Sequence, residues 1–109
     1  MKLLMVIHRD DAALESFIAA VRQANLAGIT LLRSSGVGRN SQRHPLEFGF
    51  MGFLVENAER LENTTLLSFI EDDNLPKVLQ LLEQHITDFA ASGGGMYAVL
   101  PVESHGGIE

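Results

Sequence analysis

Two short runs constrain this chain more than any other feature. Residues 3–7 read LLMVI and residues 66–70 read LLSFI. Each has the length of a strand, and each is apolar at nearly every position where a half-buried strand would alternate. Such runs belong to a sheet covered on both faces. The rest of the chain supplies cover for one face only. Asp10 or Asp11 can cap a helix reaching about Asn25, in which Leu14, Phe17, Ile18 and Val21 form one apolar stripe, with Gly28 ending it. Asn74 can cap a second helix with Pro76 in its first turn and a stripe of Leu75, Val78, Leu79, Leu82, Ile86 and Phe89.

Strands read over residues 2–8, 28–39 and 64–70, and over MYAVLPV (96–102) after the break Ser92-Gly93-Gly94-Gly95. The order β-α-β-β-α-β gives a single α+β domain over residues 1–109, a ferredoxin-like sandwich with both helices on one side of an antiparallel sheet. The bare side is most simply covered by another copy of the chain, so self-association is expected.

Composition excludes several classes. The 109 residues include no cysteine, so disulfides, thiolate metal sites and cysteine nucleophiles are out. A net charge of −6 argues against nucleic-acid partners. The longest apolar run is too short to cross a bilayer. Asp10 and Asp11 stand where a signal peptide would be cleaved, so that run reads as a strand and the expected location is the cytoplasm.

Charge is unevenly distributed. No acidic residue lies between Glu15 and Glu47, whereas Arg22, Arg33, Arg39, Arg43 and His44 all do. The interval is either a solvated face or an anion site. At its centre, Gly36-Val37-Gly38-Arg39 leaves the second strand. Glycines there allow backbone amides to turn towards an anion, and Arg39 can add a bidentate charge; the plain alternative is a flexible strand exit. The apolar stretch that follows, with Phe48, Phe50, Met51 and Phe53 interleaved by Gly49 and Gly52, reads in three ways: ribbon packed inside an oligomer, docking arm for a partner, or stacking cover for a ligand.

Catalytic patterns are missing: neither Gly-x-Ser-x-Gly nor His-Glu-x-x-His occurs. Ser34, Ser35 and His44 have no spacing that fixes a nucleophile and base. His8, His44, His85 and His105 show no i, i+4 pairing.

GITLLRSSGVGRN (28–40) and MYAVLPVE (96–103), at this separation, resemble the second and fourth strands of PII-type signalling proteins, and the match covers nearly the whole chain. The resemblance implies a homotrimer with sheets facing inward, nucleotide sites between subunits, and a long T-loop, here about residues 39–64, that docks on a target enzyme or membrane transporter. It places Thr30 at the adenine, and Gly36, Val37, Gly38 and Arg39 at the phosphates. Gly93 and Gly95, with Gly94 between them, match the family's phosphate-side glycine turn. The chain departs from the family at Met96, which replaces a phosphate-binding lysine. It also lacks the arginines after the fourth strand and the modifiable loop tyrosine, since Tyr97 is the only tyrosine. These departures imply weak ATP binding and leave room for an adenine nucleotide of lower charge, a cyclic dinucleotide or another small anion. Trimeric metal-tolerance proteins of the same fold, and a partner-binding module that needs no ligand, are the competing readings.

Overall fold

The computed structural model describes residues 1–35, 62–87, 89 and 95–107. Its elements are β1 (Lys2–His8), α1 (Asp11–Gln23), β2 (Thr30–Ser35), β3 (Glu62–Ile70), α2 (Leu75–His85) and β4 (Gly95–Pro101). The strands form one antiparallel sheet in the order β2-β3-β1-β4. This is an α+β fold compatible with a ferredoxin-like sandwich.

Both apolar stripes face the sheet. Leu14, Phe17 and Val21 of α1 and Val78 and Leu82 of α2 are buried against Leu4 and Val6 of β1 and Leu66 and Ile70 of β3. Burial alternates along β1 and β3, so every second residue of the apolar runs points away from the helices. Register places these residues in rows across the open face: Phe69–Leu3–Leu100, then Thr30–Leu67–Met5–Ala98, then Leu32–Thr65–Ile7–Met96, with Ser34 beside Asn63 beyond. None of these thirteen side chains is ionisable. Leu32, Phe69, Met96 and Leu100 are 41–53% exposed. Among the described residues, the doubly apolar runs thus correspond to one face covered by the helices and one open face.

Asp10 caps α1, its Oδ1 accepting from the amides of Ala12 and Ala13 at 3.0 and 3.2 Å. Asp10→Ala should cost about 1 kcal/mol, lowering Tm by about 4–8 °C in a domain of this size; a thermal melt reads it directly.

The helix ends differ from the sequence expectation. Helix α1 stops at Gln23, and Asn25, not Gly28, takes the left-handed turn, with φ 53°. The Asn25 amide donates to Arg22 O and the Leu26 amide to Val21 O, which together close the terminal carbonyls in a Schellman motif. Leu26 then packs on the core. Gly28 serves elsewhere, its carbonyl accepting from Ser68 Oγ at 2.7 Å.

Asn74 occupies the N-cap position of α2 without a side-chain cap; its amide instead donates to Leu26 O at 3.3 Å and ties the two helix ends together. The stripe of α2 also outruns the helix. Ile86 is already extended (φ −125°, ψ 102°) yet buried, and Phe89 lies in a turn against His8 and Tyr97. Side-chain burial continues there after the helical backbone has stopped.

Candidate functional site

Of the residues expected to hold an anion, Thr30 and Gly95 are described. Gly36, Val37, Gly38, Arg39, Gly93 and Gly94 lie outside the described residues. So do Arg43, Phe48, Phe50, Met51 and Phe53, the expected partner-binding positions.

For the glycines leaving β2 and those entering β4 to hold one anion, the two strand ends must be neighbours in the sheet or meet across subunits. Within one chain they are not neighbours. They are the two edges of the sheet, separated by β3 and β1, about 14 Å apart at the usual strand spacing. The physical reason is that β3 pairs with β1 on one side and β4 pairs with β1 on the other, leaving β2 only β3. Thr30 is exposed on the open face beside Leu67, whereas Gly95 pairs with His8 on the helix-covered face. One copy therefore cannot bring the two to a common ligand.

Gly95 has its own structural reason for being glycine. Its φ is +125°, and a Cβ there would lie 2.3 Å from Ile7 O and 2.8 Å from His8 Cδ2. Met96, the next residue, points to the open face and is half exposed.

A polar row crosses the covered face at this end of the sheet: Arg33, Thr64, His8 and Gly95. Register settles that Arg33 faces the helices, opposite Thr30. Its Nη1 donates to Thr64 Oγ1 at 3.0 Å and pairs with Asp11 Oδ2 at 3.3 Å, while Thr64 Oγ1 donates to Asp11 Oδ1 at 3.0 Å. The three side chains fasten the first turn of α1 to β2 and β3. Arg33 and Asp11 are about 60% exposed, so the ion pair contributes at most about 1 kcal/mol. A ligand reaching Arg33 has to share it with Asp11.

His8 is 1% exposed; its Nδ1 accepts from the Asp10 amide at 2.9 Å, and its ring meets Phe89 edge-on at 5.8 Å. The bond assigns the neutral ring's proton to Nε2. His85 is half-buried and hydrogen-bonded across the helices to Ser16 Oγ at 2.6 Å.

Sequence reasoning missed the Asp11–Arg33–Thr64 cluster because its members are 22 to 53 positions apart and only strand register unites them. Among the described residues, no group of three or more His, Asp or Glu side chains is arranged to hold a metal ion. No helix among them is long and apolar enough to cross a membrane. No family model matches the chain, and no curated protein matches it.

Proposed function

We propose that the chain is a small-anion-sensing regulatory module of the PII-like kind, working as a homo-oligomer. The observation that carries this reading is the open sheet face. Three rows, of apolar residues and two threonines, hold no ionisable group and are left open by the other described residues, on a chain of net charge −6. Elsewhere, like charge opposes the approach of a second copy; on this face it does not.

Copies joined there also suit the split between Thr30 and Gly95, since the site then draws on the edges of neighbouring copies. The trimer is what the family resemblance implies. The ligand of this reading is an adenine nucleotide, a cyclic dinucleotide or a comparable small anion. It is held by Thr30, the Gly36–Arg39 turn and the glycines at 93–95, and the long connection between β2 and β3 carries the response to a target enzyme or transporter in the cytoplasm. The role is binding, with no catalytic step.

Titration calorimetry over a panel of ATP, ADP, AMP and cyclic dinucleotides, with zinc and copper as the metal arm, is the test. Binding of one anion at micromolar affinity is expected, weaker than nanomolar because Met96 offers no charge. Arg39→Ala should weaken it about tenfold or more, since a charge-assisted hydrogen bond contributes roughly 1.5–3 kcal/mol and about 1.4 kcal/mol is tenfold. Silence across the nucleotide arm at millimolar concentration, or unchanged binding in Arg39→Ala, overturns the anion site. A response to metal alone favours the metal-binding reading.

A further inference from the structure

We infer that Arg33 and Thr64 form a phosphoryl-binding pair on the helix side of the sheet, kept closed by the carboxylate of Asp11, and that a doubly charged phosphate group opens it by taking Asp11's place. The inference goes beyond the anion site proposed above. Thr30 faces the open side of the sheet and Arg33 the helix side, and neither Thr30 nor the glycine turns enter it.

The donors are already arranged for an oxyanion. Thr64 is 7% exposed, and its hydroxyl accepts from Arg33 Nη1 and donates to Asp11 Oδ1, both at 3.0 Å. The same Arg33 nitrogen reaches Asp11 Oδ2 at 3.3 Å. One guanidinium nitrogen and one buried hydroxyl therefore direct protons to the two oxygens of a single carboxylate. A phosphoryl group offers an equivalent pair of oxygens, and about −1.5 to −2 of charge where the carboxylate has −1.

Asp11 is the member that can leave. The cap of α1 is made by Asp10, whose Oδ1 accepts from the amides of Ala12 and Ala13, so the helix stays capped when Asp11 turns away. The side chains of Arg33 and Asp11 are about 60% exposed. A solute can reach them, and an ion pair so placed is weakly held. Thr64 is fixed by contrast, since β3 pairs it with His8 of β1 on one side and with Arg33 of β2 on the other.

Tethering makes the closed pair selective. Asp11 competes at the high effective concentration of a group on the same chain, which a free monocarboxylate does not overcome and a dianion does. Exchange also moves a mechanical tie. With Asp11 in place, the first turn of α1 is fastened to β2 and β3; with phosphate in place, that fastening is released and the ligand is held by β2, which leads in sequence into Gly36-Val37-Gly38-Arg39. Asp11 thus sets the phosphate concentration at which α1 and β2 uncouple.

The test is amide NMR of the full chain, titrated at constant ionic strength with inorganic phosphate, ribose 5-phosphate and acetate, and read at Asp11, Arg33 and Thr64. Thermal melts first establish that each variant is folded. Saturable shifts at the three amides are expected with inorganic phosphate and none with acetate. Ribose 5-phosphate binding more tightly than inorganic phosphate would assign the pair to a phosphorylated small molecule, and the reverse to free phosphate. Asp11→Asn should bind inorganic phosphate about fivefold more tightly, which is the ~1 kcal/mol ceiling of an exposed ion pair converted at about 1.4 kcal/mol per tenfold. Adding Arg33→Gln to Asp11→Asn should abolish the gain. Adding Thr64→Val instead, which removes the hydroxyl at nearly equal volume, reads the same loss if the arginine variant fails to fold. Binding unchanged or weakened in Asp11→Asn, a gain that survives both second substitutions, or silence from phosphate in parent and Asp11→Asn alike overturns the inference. Arg39→Ala separates it from the anion site proposed above. The phosphate shift at Thr64 should persist in that variant, and its loss there would overturn the Arg33–Thr64 pair in favour of the Gly36–Arg39 turn.

Discussion

Gly95→Ala should destabilise the domain by more than about 3 kcal/mol, lowering Tm by more than about 10 °C. Two penalties coincide. The residue sits at φ +125°, and the added Cβ would lie 2.3 Å from the Ile7 carbonyl oxygen. A side chain held in a sparsely populated backbone region costs about 1–3 kcal/mol, and overpacking adds about 1–3 kcal/mol. The nearest obstacle is backbone of β1, so a rotamer change cannot relieve it; β4 has to move away from the strand it pairs with.

Gly28→Ala is the matched control. Nothing lies within 4 Å of its added Cβ and its φ is not in the left-handed region, so the change should be neutral or stabilising by about 0.4–1 kcal/mol through the unfolded chain. Thermal melts of the two variants test this. A Gly95→Ala melt within 2 or 3 °C of the parent, a roughly 0.5 kcal/mol effect, would mean that β4 does not approach β1 so closely. Gly95 would then be left to the ligand alone.

The sequence exposed what depends on local periodicity and hid what depends on strand order. Runs such as LLMVI identify a strand by themselves, and the spacing of Leu14, Phe17 and Val21 identifies a helical face, because one element of secondary structure brings those side chains together. Element order β-α-β-β-α-β was therefore legible, as was the packing of both helices on one sheet face alone.

Helix ends were less so. Gly28 looked like the terminator because glycine tolerates positive φ best, yet Asn25 takes that turn, and the hydrophobic Leu26 just after it anchors the motif to the core. Asn74 looked like a cap because its side chain is short and polar, but the same amide is within reach of Leu26 O once the helix ends meet. The expected anion site was legible as a set of residue types only. Whether Arg33 shares a face with Thr30, and whether β2 neighbours β4, are matters of register and order, and both came out against a site within a single chain.

Phe69→Lys should convert the protein from an oligomer to a folded monomer. The unsubstituted chain is expected to run by light scattering at a multiple of 11.9 kDa, and at three times that mass if the trimer is right. Phe69 lies in the row Phe69–Leu3–Leu100 on the open face and is 42% exposed in the single chain. An ammonium there stays hydrated in the monomer, so the fold should survive with a small change in Tm once the contribution of assembly is removed. In the oligomer, each copy would carry its charge into an apolar contact that has no ionisable partner. Desolvating one such ion costs several kcal/mol, and each 1.4 kcal/mol is about tenfold in affinity. Association should therefore weaken by at least about a hundredfold, enough to give a monomer at micromolar concentration. Gln84→Lys, on the exposed side of α2, adds the same charge away from the sheet and should leave the mass unchanged. Oligomers that persist in Phe69→Lys would show that the copies meet elsewhere; a mass of 11.9 kDa for the parent would show that the open face works uncovered or serves a different partner.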